Sequence, residues 1–181
     1  MKQGFKFQPI LKGDNITLRP LVEADFNELY ACASDKMLWA GHPDPDKYKK
    51  PVFTEMFDKT MQSGVCLVIA DNLNSKAIGW TRYYLAETAP DDISIGFTFL
   101  SREYWGGKTN FELKKLMLDF AFTYFKAVWF HVSPLNIRSQ KAVKKIGGNF
   151  TQEETLSITG KKQKWFTYKI ERDDWLSNNE G

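Results

Sequence analysis

The fold is decided by residues 93–132, ISIGFTFLSREYWGGKTNFELKKLMLDFAFTYFKAVWFHV. Ile93–Leu100 alternates between apolar and smaller or polar side chains, which predicts a half-buried strand. Thr109–Phe125 repeats apolar residues at helical spacing, and Ala127–Val132 is a second short apolar run. A strand, a helix and a strand in this order predict a βαβ unit, whose right-handed crossover brings the two strands side by side in parallel.

The loop Tyr104–Asn110 (YWGGKTN) lies between the first of these strands and the helix. The first turn of a helix leaves amide N–H groups unpaired, and its dipole is positive there. Gly106 and Gly107 would let the backbone approach a ligand closely, so the loop could cradle a pyrophosphate. The alternative is a tight connection in which the glycines serve only to turn. Thr109 and Glu112 have the spacing of a capping box, which predicts that Thr109 caps the helix.

A polar turn and a basic helix follow the second strand, and Ile137–Ile146 is the predicted helix. Asn136 is placed to cap it and Gly147 to end it. From Ser133 to Gln152 the chain has no acidic residue. The basic side chains in this stretch are Arg138, Lys141, Lys144 and Lys145. They form either a surface for a small polyanion or an ordinary solvated face.

Outward from this unit, the remaining pattern predicts a mixed-sheet α/β domain with an α+β arrangement of elements. The predicted strands are Ile16–Leu21, Cys66–Ala70, Ala77–Leu85, Phe150–Ile158 and Trp165–Ile170. The predicted helices are Leu21–Ala31 and Tyr48–Met61. The last two strands face each other across a Gly-Lys-Lys turn and predict a closing hairpin.

Length and composition limit the class of protein. A chain of 181 residues is one domain's length, so we expect a single domain over 1–181 with its core at about 15–170. A net charge of +3 does not favour bulk nucleic-acid binding. Cys32 and Cys66 show no pairing pattern, and no cluster of metal ligands is apparent, so we expect reduced thiols and no metal. Short apolar runs and an N-terminus unlike a secretory signal predict a cytoplasmic protein that does not insert in a membrane.

Three segments together carry a resemblance to a known family. The strand, WGG loop and long helix are followed by a strand and the pattern N-x-x-S-x(5)-K-x-G at residues 136–147. This arrangement resembles the GNAT superfamily of acetyl-CoA-dependent acetyltransferases, and within it the ribosomal-protein N-terminal acetyltransferases. ITLRPLVEADFNELY (16–30) and AIGWTRYY (77–84) are similar to the same branch. The resemblance covers roughly residues 15–168.

The resemblance implies a twisted, mostly antiparallel sheet whose central parallel pair splays apart to hold acetyl-CoA. Where the family's loop has Q/R-x-x-G-x-G/A, this chain has Trp105, Lys108 and Asn110, so the loop departs from the pattern. The positions implied to contact the cofactor are Phe97, Thr98, Phe99, Leu100, Trp105, Gly106, Gly107, Lys108, Thr109, Asn110, Asn136, Ser139 and Lys145. We assign Lys108 and Lys145 to the phosphates, together with Arg138 as a further candidate.

The implied reaction is direct attack of a neutral amine on the thioester in a ternary complex. It needs an oxyanion donor, a base for the amine proton and an acid for the leaving thiolate. A backbone N–H near Phe97 or Phe99 is the oxyanion candidate. Many relatives place a Tyr acid where this chain has Val143, which leaves the Ser139 hydroxyl as the acid, or as a cofactor contact or helix cap.

The base and the acceptor contacts are left open by the sequence. Relatives often carry Glu at the position of Ser94. The remaining candidates for the base are Asp91, Asp92, His131 and His42, of which His131 also fits a core or sheet-surface position. For the acceptor pocket we expect Trp39, His42 and Tyr83.

Rival functions follow from the same residues. The leading hypothesis is an N-acetyltransferase that uses acetyl-CoA, and the missing Tyr and Glu motivate the alternative of a catalytically weak acyl-CoA-binding or scaffold protein on the same fold. Nucleic-acid binding through the Arg138–Lys145 helix is disfavoured because no aromatic residues interleave with its charges. The expected acceptor is a protein N-terminus or a small amine, and self-association through the C-terminal hairpin would give a homodimer.

Overall fold

The computed structural model describes residues 2–86 and 91–179. The predicted domain 1–181 also includes residues 1, 87–90 and 180–181, which lie outside the described residues. The described residues form one sheet with strands in the order β1-β2-β3-β4-β5-β6-β8-β7. The strands are β1 Leu11–Lys12, β2 Ile16–Pro20, β3 Cys66–Asp71, β4 Ala77–Tyr84, β5 Ile93–Leu100, β6 Ala127–Val132, β7 Asn149–Leu156 and β8 Gln163–Glu171.

Helices cover both faces of the sheet. They are α1 Phe26–Ala33, α2 Lys50–Ser63, α3 Thr109–Phe122, α4 Ile137–Lys145 and α5 Arg172–Asn179. α1 and α2 pack on one face, where Phe53, Phe57 and Trp80 belong to one apolar cluster. α3 and α5 cover the other face, with Phe122 against Trp175. Within the described part of the chain, no helix has the length and apolar character needed to cross a membrane.

The central strand pair opens as the family resemblance implies. All neighbouring strands are antiparallel except β5 and β6, which are parallel. These two pair only where Ile93 meets Val128 and Ser94 meets Trp129. Beyond Ser94 the strands have no paired register, so the sheet splits toward their carboxyl ends. The predicted mixed fold with a splayed parallel pair is confirmed.

A bulge interrupts β5 beside this split. Arg82 of β4 pairs with Gly96, but Trp80 pairs with Phe99, so Thr81 stands opposite two residues of β5. A bulge of this kind leaves an extra residue outside the ladder. The first of the two, Phe97, has a φ of 52°, an uncommon conformation for a bulky residue. Such backbone strain tends to occur at functional sites.

The predicted capping box at the start of α3 is wrong. Lys108 is the residue that precedes the helix, and no side chain caps it. The Glu112 carboxylate instead accepts hydrogen bonds from the backbone N and the Nδ2 of Asn15, each at 2.8 Å. Its charge therefore fastens α3 to the start of β2, which lies far away in sequence.

The remaining element boundaries differ by a few residues from prediction, with three larger differences. α1 begins at Phe26 rather than Leu21, and α3 ends at Phe122 rather than Phe125. The C-terminal helix α5 was not predicted, because Trp175 is the one buried side chain among residues 172–178 and the sequence there shows no apolar stripe. β8 lies between β6 and β7, so the closing hairpin joins the sheet through its second strand.

Candidate active site

A cavity of about 470 Å³ opens where β5 and β6 separate. Its volume is in the range of small-molecule sites. Strands β4, β5 and β6 line its base, and the loop before α3 lines one region together with α4. The turn at residues 42–47 and helix α2 line a second region, near enough to the first that the charge of Arg138 acts on His42. We call the first the α4 end and the second the α2 end.

An aromatic–cation stack joins the two sides of the α4 end. The Trp105 indole Nε1 donates to the Leu100 carbonyl at 2.8 Å, which fixes the ring against the end of β5. The guanidinium carbon of Arg138 lies 3.7 Å from the centroid of the Trp105 ring. Between them and α3, Gly106 adopts a φ of +74°, which a side chain would strain. The loop and α4 thus form a wall that carries the positive charge of Arg138, and no described side chain covers the backbone at Gly106.

The start of α4 is built as the sequence predicts. Asn136 Oδ1 accepts from the Ser139 backbone N–H at 3.1 Å, which confirms Asn136 as the cap. Gln140 Nε2 donates to the carbonyls of Ser133 and Pro134 at 3.2 and 2.9 Å. These bonds hold the turn rigidly and place Ser139 in the cavity lining.

Most positions expected to contact the cofactor converge on this cavity. Those that line it are Phe97, Thr98, Phe99, Leu100, Trp105, Gly106, Asn110, Asn136 and Ser139. Gly107, Lys108, Thr109 and Lys145 are not in the lining, and all but the half-buried Thr109 are exposed. A role for these four would concern a part of the ligand that extends beyond the cavity. Arg138 does line it.

Two of the three predicted acceptor residues line the α2 end. Trp39 Nε1 donates to the Ala33 carbonyl at 2.7 Å, and its ring packs edge-on against His42 at 5.6 Å. His42 Nδ1 accepts from the Asp44 backbone N–H at 2.9 Å. Burial and then the charge of Lys47 lower the pKa of His42 to about 4, so the ring is neutral at pH 7.

Tyr83 corrects the third prediction. Its side chain has no exposed surface, and its hydroxyl donates to the Met117 carbonyl at 2.7 Å. Neighbouring residues of a strand face opposite sides of the sheet, so Tyr83 lies in the core under α3. A side chain in that position does not reach the cavity. Arg82 and Tyr84 line the cavity instead.

His131 lies in the cavity wall, whereas the sequence favoured a core or sheet-surface position for it. The Tyr84 hydroxyl is 2.7 Å from His131 Nδ1, and this contact joins β4 to β6 beside the split. His131 Nε2 is buried and has no hydrogen-bond partner among the described residues. Burial lowers the pKa of this imidazole to about 4.

Lys114 is a polar cavity residue that the sequence reasoning missed. The Nζ donates to Thr98 Oγ1 at 3.0 Å, and that oxygen is 2.8 Å from Thr81 Oγ1. Burial lowers the pKa of Lys114 to about 7. The available signal was its position between Leu113 and Met117 on the apolar stripe of α3, where a solvated lysine is not expected.

The other candidates for a base lie apart from the cavity. Asp92 accepts from the Trp129 indole Nε1 at 3.1 Å, and Asp91 is exposed. Ser94 is buried, and its Oγ has no hydrogen-bond partner among the described residues. Across residues 2–86 and 91–179, no three His, Cys, Asp or Glu side chains are grouped so that they could hold a metal ion.

A family sequence model matches most of the chain. The sequence model described as "Acetyltransferase (GNAT) domain" matches residues 15–149. No curated protein matches the chain significantly.

Solved acetyltransferase structures share the fold at low sequence identity. A GCN5-related N-acetyltransferase from Brucella melitensis is 16% identical over 93% of this chain and 80% of its own, with a TM-score of 0.79. A candidate ribosomal-protein-serine acetyltransferase from Vibrio cholerae is 12% identical over 94% and 99%, with a TM-score of 0.70. A spermidine N-acetyltransferase from the same organism, solved with CoA and spermine, is 17% identical over 91% and 99%, with a TM-score of 0.65.

Proposed function

The chain belongs to the GNAT acetyltransferase family, and on that premise we propose that it transfers the acetyl group of acetyl-CoA to a primary amine. The observation that carries the proposal is the cavity between β5 and β6, with the strained Phe97 at its edge. The two segments expected to bind the cofactor meet there in the Trp105–Arg138 contact. The acceptor class, a protein N-terminus or a small amine, is part of the proposal.

The cavity suits acetyl-CoA chemically. At the α4 end, an Arg side chain and a glycine backbone offer donors to phosphate oxygens. The residues of β5 from Phe97 to Leu100 line the slot along which the pantetheine arm would lie. Lys108 and Lys145, exposed near the ends of α3 and α4, would attract phosphates that extend beyond the cavity.

In this arrangement the Phe97 backbone is the oxyanion donor. The bulge removes this residue from the regular ladder, so its N–H is a preorganised donor for the negative charge on the thioester oxygen. Ser139, in the first turn of α4, faces the cavity and would protonate the departing thiolate. Val143, where relatives carry Tyr, is buried and offers no proton.

We propose that His131 is the general base that accepts the proton of the amine. This role requires the tautomer in which Nδ1–H donates to the Tyr84 oxygen, because Nε2 then carries the free lone pair. The pKa of about 4 keeps the imidazole neutral at pH 7, although it also makes His131 a weak base. Its position at the cavity wall with an unpartnered nitrogen favours it over Asp91 and Asp92.

The second candidate function is a non-catalytic acyl-CoA-binding protein on the same fold. The specific observation in its favour is Val143, which replaces the acid of many relatives with a buried aliphatic side chain. This candidate shares the cofactor site and lacks the acetyl transfer.

Calorimetric titration with CoA tests the shared claim. We expect binding to the wild type and an approximately tenfold or greater loss on Arg138→Glu, because the substitution places a negative charge beside the phosphates. Arg172→Glu, on the distant α5, is the matched control. No binding heat at millimolar CoA would reject both functions, and equal losses in the two variants would reject the assignment of the phosphates to the α4 end.

A transfer assay then separates the two functions. Release of free CoA thiol is measured with acetyl-CoA and a panel of peptides and small amines. Turnover that depends on an amine supports the acetyltransferase, and CoA binding without turnover on any amine supports the binding protein.

A further inference from the structure

We propose that the acceptor is an amino acid, whose carboxylate binds Arg82 at the base of the cavity, beside Lys47 of the α2 end, while its amine faces the thioester. The inference rests on the proposed function and adds to it the chemical class of the acceptor. It follows from a half-buried cation for which the described residues supply no counter-ion.

Arg82 lines the cavity and is half-buried, and no ion pair joins it to the residues that the structure describes. Its Nε is buried and forms no hydrogen bond to any described residue. Its guanidinium carbon lies 3.4 Å from the centroid of the Phe97 ring, a cation–π contact. Burial lowers the pKa of Arg82, and the two side chains that act to raise it, Cys66 and Tyr84, are not carboxylates.

The surroundings add positive charge. The Lys47 ammonium also faces the cavity, and its pKa is lowered by burial and by the charge of Arg82. Among the described residues that line the cavity, Asp44 supplies the single carboxylate. It lies 3.9 Å from Lys47 Nζ and raises the pKa of that lysine, so it pairs with Lys47 rather than with Arg82.

An anionic ligand would complete this site. A guanidinium stays protonated in proteins, so burial cannot be relieved by loss of the proton. Buried charges are normally paired, and buried donors normally hydrogen-bonded. The planar fork of an Arg matches the two oxygens of a carboxylate.

The position of Arg82 relates the anion to the reaction. Its guanidinium stacks on the side chain of Phe97, whose backbone N–H is the proposed oxyanion donor. A carboxylate held on Arg82 therefore lies close to the reacting centre, as in an amino acid whose amine and carboxylate are near each other. A long polycation has no carboxylate to bind Arg82, and the positive charges of Lys47 and Arg82 would repel it.

Matched acceptors test the charge directly. Initial rates of CoA thiol release are measured with L-amino acids, the corresponding amino acid amides and the corresponding decarboxylated amines. We expect kcat/KM to be at least about tenfold higher for the best acid than for its amide. This comparison uses the wild-type protein and does not depend on the folding of any variant.

Substitution assigns the effect to Arg82. Arg82→Gln should lower kcat/KM on the acid by about 10- to 100-fold, mainly through KM, and change the rate on the amide little. Arg172→Gln, which removes the same charge from exposed α5, should change neither. Calorimetry should show the same CoA affinity for Arg82→Gln as for the wild type.

The outcomes are distinguishable. If CoA binds and the amide is acetylated as efficiently as the acid, or no amino acid is acetylated, this inference is overturned while the cofactor site stands. If Arg82→Gln loses CoA affinity, Arg82 binds a phosphate of the cofactor and the inference is wrong. If CoA does not bind the wild type, the proposed function itself fails.

Discussion

Individual side chains in the cavity owe their chemistry to burial rather than to neighbouring charges. The chain has two histidines, His42 and His131, and both line the cavity. Burial is the largest cause of the lowered pKa of each, which is about 4. An imidazole whose pKa is about 6.5 in water thus becomes a neutral hydrogen-bonding group throughout the physiological pH range.

We expect neither histidine to titrate between pH 5.5 and 8. The imidazole resonances followed by NMR should show midpoints near 4, and His42→Gln assigns the remaining signal to His131. Because the unfolded chain takes up these protons below about pH 6.5 and the folded protein does so only near 4, the free energy of unfolding should fall as pH falls between these values. A midpoint near 6.5 for His131 would show that it is not buried as described.

At the scale of the elements, the local sequence pattern predicts the bounds of a strand correctly where one face of the strand is apolar. β5 and β6 have the bounds predicted from their sequence. The predicted cap Asn136 is also local, because its bond spans three residues. The capping box failed since Glu112 binds backbone that lies nearly a hundred residues away, and nothing in the spacing of Thr109 and Glu112 signals that competition.

Glu112 should therefore stabilise the contact between α3 and the start of β2 rather than the first turn of α3. We expect Glu112→Ala to lower the free energy of unfolding by about 2 kcal/mol, because hydrogen bonds of the Asn15 backbone and side chain to a carboxylate are lost. Urea unfolding checks this, with Glu55→Ala on exposed α2 as the control. Equal, small effects of the two substitutions would show that Glu112 does not fasten β2 to α3.

At the scale of the whole molecule, the sequence predicted the α4 end of the cavity better than the α2 end. The α4 end is formed by the loop before α3 and by α4, which lie in one stretch of the chain and carry the family's motifs. The α2 end and the adjoining base gather Lys47, Arg82 and His131 from three distant segments. The sequence predicts Tyr83 in the acceptor pocket, but Arg82 and Tyr84 line the cavity instead. The strand pattern does not reveal which face of β4 meets the cavity.

The central claim is that the slot between β5 and β6 holds acetyl-CoA with its thioester at the Phe97 bulge. A crystal structure with a non-hydrolysable acetyl-CoA analogue tests it most directly. We predict the pantetheine arm along Phe97–Leu100, the carbonyl oxygen about 3 Å from the Phe97 backbone nitrogen, and the phosphates beside Trp105 and Arg138. An analogue bound elsewhere, or one whose carbonyl lies away from Phe97, would contradict the account.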